Sequence, residues 1–184
     1  SCFPKDVKAF IKIAEEQGID FTLLEEVEKI NFSRRIKFLK KIKEALWITK
    51  DKNIALWGLA FKPDTDDIRE APSINIVREL EKAGANLRLY DPQAMGNFRH
   101  AFPDSEHIKY FNDKYEALVN AEALIIITEW DEFVKADLDK IKANMKLPII
   151  IDGRNVYPPQ IMEEKGFEYY SIGREKINNG DAWK

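Results

Sequence analysis

The sequence has a single cysteine, Cys2, among its 184 residues. One cysteine excludes an intramolecular disulfide, which agrees with a protein of a reducing compartment. The sequence also lacks any run that approaches the roughly 18 consecutive apolar residues of a membrane-spanning helix. Its N-terminus lacks the basic segment and apolar stretch of a secretion signal. These absences predict a cytoplasmic protein without a membrane partner.

An excess of charge of one sign is missing too. Charged residues make up 33% of the chain, yet the formal net charge is only -3, and acidic and basic residues alternate along the sequence. Nucleic-acid-binding proteins instead concentrate lysine and arginine on one face. Nucleic acid is therefore not an expected partner. A hydrophobic content of 45% is enough for the core of one compact domain with an appended segment.

The N-terminal part has the pattern of helices and lacks an initiator methionine, which favours a piece of a longer chain. Pro4 fits the first turn of a helix that Gly18 would end. Asp20 can cap a second helix, in which apolar residues step by three or four as far as Leu46. About 27 helical residues would extend roughly 40 Å, which favours a helix that bridges domains or pairs two subunits. The alternative is two helices broken near residues 31–33.

From Asn53 onward, short apolar runs alternate with amphipathic stretches, which predicts a parallel sheet connected by helices. Residues 123–127 and 148–151 are almost continuously hydrophobic, as expected of strands covered on both faces. The predicted fold is α/β, with a helical segment at 1–50 and a doubly wound, Rossmann-like parallel sheet at 51–184. The predicted strands are 54–60, 87–90, 108–111, 123–128, 148–152 and 167–172, and the predicted helices 73–82, 114–121, 137–144 and 159–165.

A long polar loop follows the first predicted strand, and it lacks the G-x-G-x-x-G fingerprint of a dinucleotide site. Ligands of open α/β sheets bind beyond the carboxyl ends of the strands. In this loop Lys62 and Arg69 can contact phosphate, and a helix with free amides begins near Ser73. Both basic residues can instead pair with acidic residues of the same loop. Those acids lack the glycine and distal glutamate of a calcium loop, so no metal is predicted.

Arg154 follows a later predicted strand, in the stretch Asp152-Gly153-Arg154-Asn155. Because parallel strands end at the same edge of a sheet, Arg154 is expected on the edge that carries Lys62. Two cations on one edge strengthen the prediction of an anionic ligand. The alternative is an ordinary ion pair on the surface.

Cys2 is predicted at a helix N-terminus, where the helix dipole and the nearby Lys5 favour the thiolate. Asp6 could accept a proton beside it. This arrangement would make the thiol reactive. The alternative is that Cys2 is a small buried apolar residue, as most single cysteines are.

Three stretches taken together, residues 1–6, 58–73 and 152–155, resemble the UDP-glucose 6-dehydrogenase family in sequence, order and spacing. GDP-mannose dehydrogenases are similar in layout and are the nearest alternative. The resemblance implies oxidation of the C6 alcohol of UDP-glucose to a carboxylate by two NAD-dependent hydride transfers, through a thiohemiacetal and a thioester on cysteine. It also implies a homodimer formed through the long helix.

The same resemblance assigns roles to residues of this sequence. Cys2 matches the family's nucleophile, and Asp6 matches the acidic residue that assists the water or proton steps. The residues that match substrate contacts are Phe3, Phe61, Lys62 and Arg154. Lys5 and Arg69 match contacts to the NAD phosphates, whereas the family's glycine-rich NAD-binding domain has no counterpart in this sequence.

Because that domain has no counterpart, we expect the chain alone not to turn over UDP-glucose. Steady formation of NADH from UDP-glucose and NAD would contradict this expectation. Two other hypotheses come from different classes: a non-enzymatic nucleotide-binding module, and a structural oligomerisation domain that forms dimers without ligand affinity. A reactive thiol at Cys2 distinguishes the enzyme from the nucleotide-binding module, which has no use for one.

Overall fold

The computed structural model describes the backbone of residues 2–178 and the side chains of residues 5–178. Its helices are α1 Cys2–Glu16, α2 Thr22–Leu46, α3 Pro72–Lys82, α4 Met95–Ala101, α5 Lys114–Leu118, α6 Asp131–Val134, α7 Leu138–Asn144 and α8 Pro159–Glu164. Its strands are β1 Asn53–Trp57, β2 Asn86–Tyr90, β3 Ile108–Tyr110, β4 Ala123–Ile126, β5 Ile149–Asp152 and β6 Glu168–Ser171.

The strands of the described chain form one parallel sheet in the order β3-β2-β1-β4-β5-β6. Trp57 of β1 lies opposite Tyr90 on one side and Ile126 on the other. The chain therefore moves outward from β1 to β3, returns to the middle at β4, and continues outward to β6. This order confirms the predicted doubly wound parallel sheet and places the reversal of strand order between β1 and β4.

Burial on both faces explains the composition of the central strands. Every residue of β4 is fully buried, and the aliphatic residues of β5 are at most 1% exposed. Successive side chains of a strand point to opposite faces, so such burial requires a layer on each side. The continuous aliphatic runs at 123–127 and 148–151 are thus the strands that the sequence predicted.

The long helix α2 is continuous over 25 residues, or about 38 Å at 1.5 Å per residue. The alternative of a break near residues 31–33 is wrong. The Ser33 hydroxyl donates to the Ile30 carbonyl at 2.8 Å within the helix and does not interrupt it. The predicted cap was placed one residue too early: Phe21 is the N-cap, and the Asp20 carboxylate accepts from the Thr22 amide at 3.0 Å.

The two halves of α2 have different surroundings. Its C-terminal half buries Phe38, Ile42, Ala45 and Leu46 against the sheet domain. Its N-terminal half exposes large apolar side chains, among them Leu23, Ile30 and Phe32. Across residues 2–178 no helix has the length and apolarity needed to cross a membrane.

Two short helices, α4 and α6, were not predicted. The α6 helix has only four residues, too few to show a helical period. In α4, Phe98 is the buried residue, and Gly96 weakens the helical pattern of the sequence. Such short connections depend on the packing around them more than on their own periodicity.

Candidate functional site

Gly58 lies where β1 ends, beside the reversal of strand order. Its φ is +95°, a conformation that glycine adopts readily and other residues rarely do. A Cβ at this position would lie 2.6 Å from both the Cβ and the backbone nitrogen of Thr128, which follows β4. The ends of β1 and β4 therefore approach so closely that only glycine fits, and the chain turns from there into the loop 59–71.

Buried hydrogen bonds hold the first residues of this loop. The Ser73 hydroxyl donates to the Leu59 carbonyl at 2.6 Å, and the Thr128 hydroxyl donates to the Ala60 carbonyl at 2.7 Å. The Phe61 amide then donates to the Asp67 carbonyl at 2.8 Å, which closes the loop. The base of the loop is thus fixed to β4 and α3.

Arg154 connects the end of β5 to this loop. Its Nε donates to the Ile127 carbonyl at 2.6 Å, and one terminal nitrogen lies 3.3 Å from the Phe61 carbonyl oxygen. Its guanidinium also pairs with Glu129 at 3.1 Å. The structure therefore brings Arg154 to the carboxyl edge of the sheet and into contact with the loop that carries Lys62, although the contact is with the Phe61 carbonyl and not with Lys62. The alternative of an ion pair is present as well.

The turn that presents Arg154 is organised by Asp152, which is fully buried. One carboxylate oxygen accepts from the Arg154 amide at 2.8 Å, and the other accepts from the Val156 amide at 2.8 Å and the Tyr169 hydroxyl at 2.7 Å. Burial raises the pKa of the Asp152 carboxyl, while these hydrogen bonds act in the opposite direction. The carboxyl group fixes the backbone on both sides of Arg154.

The long helix passes close to the same turn. A Cβ at Gly153 would lie 2.9 Å from Cζ of Phe38 and 3.1 Å from the Ile126 carbonyl oxygen. The absence of a side chain at Gly153 therefore lets α2 pack on the carboxyl edge of the sheet. This contact forms one wall of a groove.

The groove between α2 and the carboxyl edge consists of two adjoining cavities of about 390 and 450 Å³. The two cavities share Arg34, Arg35, Pro72 and Arg154 in their walls. Phe61 lines the second cavity. A volume of several hundred cubic ångströms with cations in its walls suits a small anionic ligand.

The basic residues of α2 in this groove were not predicted as site residues. Arg34, Lys37 and Lys41 line it at spacings of three and four, which place them on one face of the helix. Lys41 donates to the Ser171 carbonyl at 2.7 Å, whereas no carboxylate within residues 5–178 pairs with Arg34 or Lys37. The spacing is visible in the sequence, but the length of this helix favoured bridging domains or pairing two subunits and not a ligand site.

The two loop cations, Lys62 and Arg69, differ in their contacts. Arg69 binds Asp67 through two parallel hydrogen bonds of 2.9 Å, so the ion pair considered as an alternative is formed. Lys62 is exposed, and in the described part of the chain it has no ion pair. The walls of the two cavities, as far as the structure describes them, include neither residue. Lys62 is therefore adjacent to the groove through Phe61 and not part of its wall.

The N-terminal residues lie on α1, which packs beside α2 through Phe10 and Phe21, with ring centroids 5.5 Å apart. The helix begins at Cys2, as predicted. The side chains of Cys2 and Phe3 lie outside the described residues. Lys5 and Asp6 are exposed on α1, and one turn further on Lys8 lines the cavity that contains Phe61 and Arg154.

The turn after β1 does not fit a dinucleotide. Gly58 is followed by Leu59-Ala60-Phe61 and a long loop, without the further glycines that let a pyrophosphate approach a strand-to-helix turn. This turn therefore lacks the dinucleotide fingerprint. Among residues 5–178, no group of three or more His, Cys, Asp or Glu side chains lies close enough to hold a metal ion.

An open parallel α/β sheet with a cationic groove at its carboxyl edge, beside the reversal of strand order, defines the class of nucleotide-binding α/β domains. A model described as the UDP-glucose/GDP-mannose dehydrogenase family, UDP binding domain, matches residues 55–159. The chain belongs to the UDP-glucose/GDP-mannose dehydrogenase family.

Similar proteins agree with this assignment. The UDP-glucose 6-dehydrogenase of Pseudomonas aeruginosa is 40% identical over 188 residues, which cover 99% of this chain and 41% of that protein. A UDP-glucose dehydrogenase structure from Pyrobaculum islandicum has a TM-score of 0.73 at 31% identity, and the match covers 85% of this chain and 34% of that protein's chain. A UDP-D-ManNAc dehydrogenase structure from Pyrococcus horikoshii has a TM-score of 0.72 at 29% identity, and the match covers 94% of this chain and 38% of that protein's chain. The chain thus spans about a third to two fifths of the length of these relatives.

Proposed function

We propose that this chain is the UDP-sugar-binding part of a UDP-glucose 6-dehydrogenase and that UDP-glucose is its ligand. The observation that carries the proposal is the position of Arg154, whose guanidinium bridges the ends of β1 and β4 in a cationic groove of the matched UDP-binding domain. GDP-mannose is the alternative ligand, because the family includes both activities. The oxidation itself is proposed for a longer protein with NAD as the acceptor, as the family resemblance implies.

The groove offers a path for the nucleotide diphosphate. Arg154 forms one wall, and Arg34 and Lys37 of α2, which have no carboxylate partner among residues 5–178, form the other. Lys62 would approach the same anion from the loop, on the far side of Phe61. The diphosphate would lie between two sets of positive charges, and charge-assisted hydrogen bonds from arginine suit its oxygens.

The roles of the remaining predicted residues are proposed from the resemblance. Cys2, in the first turn of α1, is the proposed nucleophile, and Asp6, one turn later on the same helix, assists it. Phe3 is a proposed substrate contact. Lys5 and Arg69 are proposed contacts to the NAD phosphates, for which Arg69 has to exchange its carboxylate partner Asp67 for phosphate.

Titration calorimetry of the chain with UDP, UDP-glucose and GDP-mannose tests the ligand. We expect selective binding of the uridine ligands, and a loss of affinity of roughly tenfold or more in Arg154→Ala and a smaller loss in Lys62→Ala, because charged hydrogen bonds contribute about 1.5–3 kcal/mol. Arg99→Ala is the matched control, since Arg99 is an exposed arginine of α4 that pairs with Asp104.

The outcomes of this titration separate the hypotheses. Selective binding of GDP-mannose would replace UDP-glucose by the alternative ligand. Equal affinities of the Arg154→Ala and Arg99→Ala variants would contradict the proposed position of the nucleotide. Binding of none of the three ligands would favour a structural role for the chain.

We also propose a homodimer formed through the N-terminal half of α2. The half-helix exposes Leu23 at 72% and Ile30 at 53%, an apolar surface that a second copy of the helix would cover. Light scattering is expected to give twice the 21.4 kDa mass of the chain, and Ile30→Asp is expected to give monomers. Ile161→Asp, at an exposed isoleucine of α8, serves as the control. A monomeric unmodified chain at micromolar concentration would refute the dimer.

A further inference from the structure

Asp91, directly after β2, is a fully buried carboxylate. Its Oδ2 accepts from the Leu59 amide at 2.7 Å, the Ala60 amide at 3.0 Å and the Trp130 indole Nε1 at 3.1 Å. No lysine, arginine or histidine within residues 5–178 forms an ion pair with it. The cost of burying the charge is therefore offset by N–H donors alone.

The other oxygen of Asp91 serves its own turn. Oδ1 accepts from the Gln93 amide at 2.9 Å and the Ala94 amide at 2.7 Å. These two bonds shape the chain between β2 and α4, which is an ordinary structural task for an aspartate. The three bonds to Oδ2 are different, because their donors lie in two other segments: Leu59 and Ala60 follow β1, and Trp130 precedes α6 in the connection that follows β4.

The donors to Oδ2 lie in the two segments that form the proposed ligand site. One is the Lys62 limb, residues 59–62, and the other is the Arg154 limb, residues 129–130 together with Arg154. Leu59 and Ala60 immediately precede Phe61 and Lys62 in the loop after β1. Trp130 immediately follows Glu129, which pairs with Arg154. One buried oxygen atom thus joins the segment that carries Lys62 to the segment that holds Arg154.

We infer that Asp91 is a positioning residue of this site, which fixes the spacing between the Lys62 limb and the Arg154 limb without contacting the ligand. This inference rests on the proposed function for the identity of the ligand. A carboxylate suits the task because it is only an acceptor and offers two oxygens to five N–H groups. Asparagine has one oxygen, and its amino group would face donors at the other position.

Two variants of the whole chain test the inference by titration with UDP. Asp91→Asn is expected to weaken UDP binding about tenfold or more, because hydrogen bonds to a charged acceptor are lost. Trp130→Phe removes a single donor, retains an aromatic ring, and is expected to weaken binding by roughly threefold. Asp137→Asn is the matched control: Asp137 accepts from two backbone amides at the start of α7 and is exposed.

A double-mutant cycle distinguishes positioning from a general structural role. Trp130 reaches the ligand through Glu129 and Arg154, so the effects of Trp130→Phe and Arg154→Ala are expected to be non-additive. The effects of Trp130→Phe and Lys62→Ala are expected to be non-additive as well, because the Trp130 bond holds the two limbs at the spacing that lets both cations reach one ligand. Additivity in both cycles would overturn the positioning role of the Trp130 bond.

Amide hydrogen exchange of residues 59–62 separates failure of the inference from failure of the proposed function. If the unmodified chain does not bind UDP, the proposed ligand is wrong, and faster exchange in Asp91→Asn than in Asp137→Asn still supports the positioning role. Exchange and UDP affinity equal to those of the control would overturn it. If Asp91→Asn does not fold, the amide exchange and UDP affinity of Trp130→Phe are compared with those of Asp137→Asn instead.

Discussion

Replacement of Gly58 by alanine is expected to lower the free energy of unfolding by roughly 3 kcal/mol or more, since strain and overlap act together. An added methyl group would lie 2.6 Å from the backbone nitrogen of Thr128, which cannot move without disturbing β4. The φ of +95° adds a conformational cost for any residue with a Cβ. The change would also displace the loop that carries Phe61 and Lys62.

Urea denaturation of Gly58→Ala beside Gly96→Ala measures this effect. Gly96 is exposed within α4, and a Cβ there meets no atom within 4 Å. Alanine at Gly96 is expected to raise the free energy of unfolding by about 0.5–1 kcal/mol, because alanine is the better helix former. Equal stabilities of the two variants would show that β1 and β4 do not approach each other as closely as the structure places them.

Replacement of Trp57 by alanine is expected to lower the free energy of unfolding by about 3–5 kcal/mol, the usual cost of removing a large buried aromatic side chain. Trp57 is fully buried in β1 and stacks on Phe133 with ring centroids 5.0 Å apart. Its indole N–H donates to the Lys114 carbonyl at 3.0 Å, and that acceptor would lose its partner. The residue joins β1 to α5 and α6.

Trp47→Ala is the matched control for this substitution. Trp47 is 91% exposed after the end of α2, so its removal is expected to change the free energy of unfolding by no more than about 0.5 kcal/mol. Denaturant midpoints of both variants, together with their slopes, test the comparison. A cost at Trp57 as small as that at Trp47 would contradict the buried position of Trp57.

Much of the fold was predictable because its signals are local. The aliphatic runs of β4 and β5 allow few structures other than strands covered on both faces, and the period of α2 identifies a long helix. The boundaries were less certain. β1 ends at Trp57 and not at residue 60, because the close contact of Gly58 with Thr128 turns the chain out of the sheet. That contact joins residues 70 positions apart.

The site was predictable only in part, because its residues too come together from distant positions in the sequence. The order of parallel strands placed Arg154 and the loop of Lys62 on one edge. The sequence could not indicate that Arg69 binds Asp67 in preference to several other acids of the loop, because the choice depends on the local backbone. It also gave no sign that Arg34 and Lys37 face a groove, since a helical period does not reveal what lies opposite the helix.

By itself the sequence determined the kind of protein: an α/β chain with a long helix, one cysteine at a helix start, and three stretches typical of a nucleotide-sugar dehydrogenase. The tertiary structure decided which of those residues meet. Arg154 reaches the Phe61 carbonyl, Phe38 packs on Gly153, and Asp91 joins the ends of β1 and β4. Secondary structure follows from residues near in sequence, whereas each of these contacts depends on strand order and close packing between residues far apart in the chain.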